Sequence, residues 1–362
     1  MKIRIKASSR LHLGFMDLNG SLGRLYGSVG VSLSNPGTDI TVKHHSHISV
    51  RCTDKKTKKR IIDCVKTFSE HYKIEPNVMV MVHDSIPEHK GLGSGTQLAL
   101  VVSTALAHLF GIRANTYDLS MLMGRGMRSS IGIWSFEHGG LIIDSGIKKK
   151  EDRTISEPPK ALITYDFPEE WKFVIAVPEE SQGLSGEQEK EAIRMIDPPK
   201  KISEEICRLV MMKLLPSLLE KDIENFGSSL TEIDRNTGLF FRPVQGGIYS
   251  EKLSDKIIVH LLASGAYGAG QSSWGPAIYG LTTAAESVSL ASSMEDFMVE
   301  RNIKGNVIIS SGRNSGAKIE IQKCEKKDSI YNANRNQIQF SLSDSDMGAC
   351  NASFRTTARC NE

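Results

Sequence analysis

Apolar and polar positions alternate over residues 2–6, the period-two trace of a strand with one buried face. The stretch TDITVKHHSHISVRC (38–52) stays strand-like and runs into DKKTKKRIIDCVKTFSEHY, where Ile61, Ile62, Val65 and Phe68 take helical spacing. NVMVMVHDSI (77–86) alternates again. KGLGSGTQLALVVSTALAHLFG (90–111) then opens on three glycines and continues as a helix with Leu98, Val102, Ala105, Leu106 and Leu109 on one stripe. A shorter helix near 117–126 and a strand at GLIIDSGI follow. The polar stretch KKKEDRTISEPPK (148–160) marks a domain boundary, dividing residues 1–155 from 156–322. Beyond it the pattern predicts a strand at WKFVIAVP, helices at about 187–226 and 251–263, a second glycine-rich loop GAYGAGQSSWGPAIYGL, and strands at GNVIIS and AKIEIQ. After residue 323 the composition turns to Ser, Asn, Asp and Arg without periodicity, which predicts a flexible tail over 323–362.

Charge and composition narrow the chemistry. Lys+Arg at 45 against Asp+Glu at 42 is nearly balanced, and 6% aromatic residues are too sparse for a base-stacking platform, so nucleic acid is not the expected partner. Six scattered cysteines form neither a disulfide framework nor a zinc ribbon. With an alternating-charge N-terminus and no membrane-length apolar run, the chain reads as cytoplasmic, acting on a small substrate.

Four segments carry candidate chemistry. In EHKGLGSGTQ the glycines Gly91, Gly93 and Gly95 let an oxyanion approach the backbone at a helix N-terminus, and Ser94 and Thr96 add hydroxyl donors. GAYGAGQSSWGPAIYG repeats the glycine and hydroxyl content, so two such loops favour a substrate with several anionic groups. ASSRLHLGFMDLNGSLGRLYGSVG groups Ser9, Arg10, His12, Asp17 and Arg24, with the two arginines as forks for phosphate or carboxylate. GRGMRSSIGIWSFEHGGLIID offers Arg125, Arg128, Ser129 and Glu137. By contrast, HHSH (44–47) reads as a hairpin tip and DKKTKKR (54–60) as the solvated start of a helix.

Taken in order, RLHLGFMDLNGSLGR, GLGSGTQLAL, RSSIGIWSFEHGGLIID and GAGQSSWGPAIYG resemble the GHMP kinase superfamily over nearly residues 1–322, and within it the β-ribofuranosylaminobenzene 5'-phosphate synthases. The resemblance implies an α+β, two-domain fold: an N-terminal βαβ-containing domain with a left-handed crossover, and a ferredoxin-like C-terminal domain. It implies transfer from phosphoribosyl pyrophosphate to 4-aminobenzoate or 4-hydroxybenzoate with loss of carbon dioxide and pyrophosphate, early in methanopterin biosynthesis, by a Mg²⁺-dependent homodimer. The kinases of the superfamily typically have a second serine where this chain has Gly95, and many have an aspartate where it has Gly132. Those departures disfavour the rival reading, an ATP-dependent small-molecule kinase; a non-catalytic binding protein is a third.

On this resemblance Gly91, Gly93, Ser94, Gly95, Thr96 and Gln97 hold the pyrophosphate with its Mg²⁺, and Gly268, Gly270, Gln271 and Ser272 close the cleft from the other side. Arg10, Arg24 and Arg128 are assigned to the 5'-phosphate or the benzoate carboxylate, with Arg10, His12 and Arg128 as catalytic candidates. His12, Asp17 and Glu137 orient the ribose or a metal, or serve the fold.

Overall fold

The computed structural model describes residues 1–150, 157–179, 191, 196, 198–245, 247–249 and 252–323. The expected tail and the start of the expected helix near 187 lie mostly or wholly outside the described residues.

Two sheets organise the chain. The first is built on a long antiparallel ladder between β1 (Lys2–Asp17) and β2 (Arg24–His44). Outside β2 lie β4 (Val78–Asp84), antiparallel to it, and β3 (Ser49–Arg51), parallel to β4. The turn at 45–48 therefore carries the chain past the end of β4 rather than closing a hairpin, so HHSH is a crossover corner. Among the described residues no cluster of three or more His, Cys, Asp or Glu could hold a metal there or elsewhere. Helix α1 (Lys55–Tyr72) links β3 to β4 as a βαβ unit. Asp54 caps it by accepting from the Thr57 amide at 2.6 Å.

Helix α2 (Ser94–Phe110) lies against this sheet. Its expected stripe is only part of what it buries: Leu98 to Ala107 are all buried, because α1, β1, β2, α3 (Thr116–Leu122) and α4 (Ile131–Glu137) surround it. A helix enclosed on so many sides has a fixed N-terminus. Strands β5 (Leu141–Asp144) and β6 (Ile147–Lys148) pair with the first half of β2, and β7 (Ala161–Tyr165) pairs with β5.

The second sheet is four antiparallel strands: β8 (Trp171–Pro178), β9 (Gly268–Gln271), β10 (Ile278–Thr283) and β11 (Gly305–Ser311), in the order β11-β8-β10-β9. Between β8 and β9 run α5 (Lys200–Leu209), a π-helical turn (Val210–Leu214), α6 (Leu215–Glu220), α7 (Ile223–Gln245) and α8 (Lys252–Ala263). Helix α9 (Ser287–Glu300) returns the chain to β11. A βαββαβ path with the first strand beside the third and fourth is the ferredoxin-like arrangement. The last strand, β12 (Lys318–Gln322), rejoins the first sheet by pairing with β1, Lys2 opposite Gln322. Both β7 and β12 follow the polar stretch at 148–160 yet belong to the first sheet. The composition break is thus not where the sheets divide.

One apolar cluster joins the sheets: Leu11, Leu13 and Phe15 of β1 pack with Phe173 and Ile175 of β8, and with Phe226, Leu230 and Ile233 of α7. Burial of such side chains contributes about 1.5–3 kcal/mol each. The seam holds β1, and with it the residues described next, at a fixed distance from α7.

Candidate functional site

The glycine turn that starts α2 is the centre of the site. Gly91 and Gly93 have φ of 75° and 84°, a region L side chains rarely adopt, so the backbone curls before the helix begins. Gly93 is the N-cap, no side chain caps the first turn, and the first turn contains no acidic residue. The first amides of α2 thus face outward with the positive end of the helix dipole.

Three guanidinium groups surround this turn. Arg10, on β1, donates to the Gly91 carbonyl, and its Cγ and Nε would stand 3.2 and 3.3 Å from a Cβ placed on Gly93. Arg60, on α1, and Arg125, in the loop after α3, would stand 2.7 and 3.4 Å from a Cβ placed on Gly95. Arg60 also donates to Glu88 at 2.7 Å. Arg125 is largely buried and its Nε has no partner among the described residues, and burial followed by the charge of Arg60 pushes its pKa down. Two like charges held together in a half-buried place, over uncapped amides, would suit an anion carrying more than one charge.

Arg60 belongs to the charged run 54–60 that reads as a solvated helix start, yet its position carries a signal. Arg60 lies three residues after Thr57 and one before Ile61, both buried, so it stands at the edge of the packed stripe of α1.

The far side of the turn is held by α4. Gln97 donates to the Gly132 carbonyl at 2.7 Å, and a Cβ on Gly132 would stand 3.0 Å from Thr96. Asp144 fixes the start of α4: wholly buried, it accepts from the amides of Ser28, Ser130 and Gly146 at 3.0, 2.9 and 3.0 Å. Burial raises its pKa to about 6 despite those donors.

The second glycine-rich segment differs from expectation. It is a hairpin, β9-loop-β10, and its glycines serve close packing: a Cβ on Gly268 would collide with the Gly227 carbonyl of α7, and one on Gly270 would stand 2.7 Å from Asp234. Neither glycine is placed to cradle a phosphate. Ser272 at the loop start meets the first turn instead, donating to the Gly91 carbonyl at 2.7 Å and accepting from the His12 amide at 3.0 Å. Gln271 is buried, with its amide on Asp234 at 2.9 Å.

His12 is buried two residues along β1 from Arg10, and burial, then the charge of Arg10, lowers its pKa to about 3, so it is neutral at physiological pH. Arg128 is half-buried in the loop that also carries Arg125. Arg24 is elsewhere. It opens β2 beyond the Asp17–Tyr26 pair, seven residues along β1 from Arg10, about 24 Å at strand rise. Its guanidinium donates to the carbonyls of Ser145 and Gly146, both at 2.9 Å. Arg10 and Arg24 do not meet on one phosphate. Asp17 accepts from the amides of Asn19 and Gly20 and from Ser203 of α5, shaping the β1–β2 turn. Glu137, at the end of α4, is exposed.

The comparisons with known proteins identify the family and the fold. The family model for the GHMP kinases N terminal domain matches residues 59–138, a span that holds Arg60, the glycine turn, Arg125 and Gly132. The beta-ribofuranosylphenol 5'-phosphate synthase of Methanothermobacter thermautotrophicus is 34% identical over 333 residues, 88% of this chain and 98% of the relative. The chain belongs to that synthase family. Synthases of the same name from Archaeoglobus fulgidus and Methanocaldococcus jannaschii are each 31% identical, over 88% and 87% of this chain and 100% and 99% of theirs. The fold that the family uses here is shared with kinases. A homoserine kinase from Cytophaga hutchinsonii superposes with a TM-score of 0.61 at 18% identity, covering 88% of this chain and 97% of its own. A mevalonate kinase superposes equally at 15% identity, over 86% and 99%. Among the described residues no helix is long and apolar enough to cross a membrane.

Proposed function

We propose that this member of the synthase family transfers the phosphoribosyl group of phosphoribosyl pyrophosphate to 4-hydroxybenzoate, releasing pyrophosphate and carbon dioxide. The observation that carries the reading is the convergence of Arg60 and Arg125 on Gly95 above the uncapped start of α2. The relatives' name, that of a ribofuranosylphenol phosphate synthase, supports a hydroxylated rather than an aminated acceptor.

In this reading the diphosphate lies on the amides of Ser94, Gly95 and Thr96 between Arg10, Arg60 and Arg125. As the bond from the ribosyl carbon to the diphosphate breaks, its electron pair goes to the leaving group. Fixed donors there stabilise the charge where it develops. The ring carbon that bears the carboxylate attacks the ribosyl cation, and loss of carbon dioxide returns an electron pair to the ring. Mg²⁺ is part of the proposal: the hydroxyls of Ser94 and Thr96 and the Glu88 carboxylate offer oxygens at the turn, which with phosphate oxygens suit a hard cation. Bound there, it would supply neutralisation of the leaving diphosphate. A cytoplasmic homodimer is the matching expectation for the assembly.

ATP-dependent phosphorylation of an alcohol is the rival, because kinases share the fold. Gly132 weighs against it. At the place where many such kinases carry an aspartate, this chain brings a bare backbone against Thr96. Incubation with phosphoribosyl pyrophosphate and carboxyl-labelled 4-hydroxybenzoate, without ATP, is expected to release labelled carbon dioxide. ATP turnover with an alcohol, and no carbon dioxide, would replace this reading with the kinase.

A further inference from the structure

A cavity opens beside the anion site, between β1 and α7. His12 and Phe15 of β1 line it from one side, Asp234, Thr237 and Phe241 of α7 from the other, and Trp274 of the β9–β10 loop covers it. Three polar atoms in its lining, His12 Nε2, Thr237 Oγ1 and Gln271 Oε1, are buried without a hydrogen bond among the described residues. Asp234 lies 5% exposed at its floor, accepting from the Gln271 amide at 2.9 Å and from the Tyr249 hydroxyl. Buried polar atoms are nearly always paired, so several orphans around one space mark a place where a polar ligand group or ordered water belongs. The walls are aromatic, with the Phe241 and Trp274 rings 4.2 Å apart. The empty volume between these walls, open solvent at the mouth included, is about 430 Å³.

We infer that this cavity is the acceptor subsite, with the ring of a para-hydroxybenzoate between Phe15, Phe241 and Trp274 and its hydroxyl on Asp234. The inference rests on the reaction proposed above, and the chemistry of that reaction sets the ligand's direction. The ring carbon that attacks carries the carboxylate, so that end must face the ribosyl group at the glycine turn and the para-hydroxyl must point away from it. The cavity lies in that direction: Ser272 bridges Gly91 of the turn and His12 of the cavity wall.

Asp234 is then a catalytic residue. As the ring carbon bonds to the ribosyl carbon, the para-hydroxyl gives its proton to the Asp234 carboxylate and its oxygen becomes a ring carbonyl. The bond to the carboxylate then breaks, carbon dioxide leaves, the electron pair restores the aromatic ring, and the oxygen recovers the proton from Asp234. Burial raises the Asp234 pKa to about 7, matched to a base that must take and return a proton near neutrality. The titratable groups that face it are His12 of β1, Tyr279 of β10 and Tyr249 of the segment after α7; burial holds His12 neutral and raises both tyrosines.

The test compares the full-length chain with its Asp234→Asn and Thr237→Val variants, using phosphoribosyl pyrophosphate and carboxyl-labelled 4-hydroxybenzoate. Asp234→Asn is expected to lower kcat about a hundredfold or more, to leave the donor KM unchanged, and to abolish an acidic limb near pH 7 in the pH profile. Thr237→Val is expected to raise the acceptor KM about tenfold while sparing the donor KM. Unchanged kcat and pH profile in a folded Asp234→Asn protein would overturn the assignment. If that variant does not fold, the wild type decides: 4-hydroxybenzoate should show a red-shifted ultraviolet difference spectrum on binding, as its proton is shared, and an unshifted spectrum with an unaltered Thr237→Val protein would overturn it equally. A wild type that releases no carbon dioxide would sink the reaction itself, a different result from an active wild type indifferent to Asp234.

Discussion

Arg60 and Arg125, from a helix and a loop far apart in the chain, bring their guanidinium groups together over Gly95, where a Cβ would meet Nη2 of the first at 2.7 Å and Nη1 of the second at 3.4 Å. Glu88 offsets Arg60 alone. Burial and then the charge of Arg60 lower the Arg125 pKa, the second a repulsion that an anion between the two groups would relieve.

Arg125→Met removes one of the two charges while keeping much of the buried stem. Without ligand its thermal midpoint is expected to equal or exceed that of the wild type, since a repulsion and an orphaned donor have gone. Pyrophosphate binding should weaken by the worth of a hydrogen bond to a charged group, about 1.5–3 kcal/mol. Calorimetric titration with magnesium pyrophosphate, paired with thermal melts, checks both. A variant that melts earlier and binds normally would remove Arg125 from the site.

Two alanine substitutions in the same turn are expected to fail differently. At Gly95 the backbone is ordinary and the nearest obstacle is the end of the Arg60 side chain, so Gly95→Ala should fold normally and bind phosphoribosyl pyrophosphate about tenfold more weakly. At Gly91 the φ is 75° and the new Cβ would run into the Ser272 carbonyl. Gly91→Ala should lose stability by about 1–3 kcal/mol, visible in urea unfolding. Equal stability losses at both positions would contradict this account of the turn.

Gly132→Asp places a carboxylate beside Thr96. Near a bound diphosphate it adds repulsion, and one unit of pKa coupling corresponds to about 1.36 kcal/mol. Carbon dioxide release at limiting phosphoribosyl pyrophosphate should fall at least about tenfold, and no ATP-dependent activity should appear. Unchanged kinetics at limiting and saturating donor would show that position 132 does not face the phosphates.

Stability should also depend on pH through the buried carboxyls. Asp234 and Asp144 have pKa values raised by burial to about 7 and about 6, from the usual 3.8. A raised carboxyl favours the folded state fully below the unfolded value and loses that contribution as pH rises through the folded one. For Asp234 the loss between pH 4 and 8 is at most about 4 kcal/mol. Asp234→Asn cannot ionise, so its melting temperature should fall less than that of the wild type over that range. Parallel curves for the two proteins would show that Asp234 titrates normally.

Much of this was legible in the sequence, for identifiable reasons. The strands at 78–84 and 171–178 and the helices at 55–72 and 94–110 follow from local periodicity, which needs no partner to be read. The glycine turn was legible because an abrupt change from glycine to helix formers marks a helix start wherever it occurs. Arg60 was not read, because a charge run looks solvated until the face it shares with Thr57 and Ile61 is packed. The hairpin at 268–283 misled for the reverse reason. Glycine meets two needs, a ligand's approach to the backbone and a helix's approach to a strand, and only α7 lying on Gly268 and Gly270 shows which applies. The sequence by itself determined the elements and the glycine turn, since both are written in neighbouring residues. Tertiary structure alone decided the return of β12 to the first sheet, the meeting of Arg10, Arg60 and Arg125, and the cavity floored by Asp234, because each depends on contacts between segments that share no local pattern.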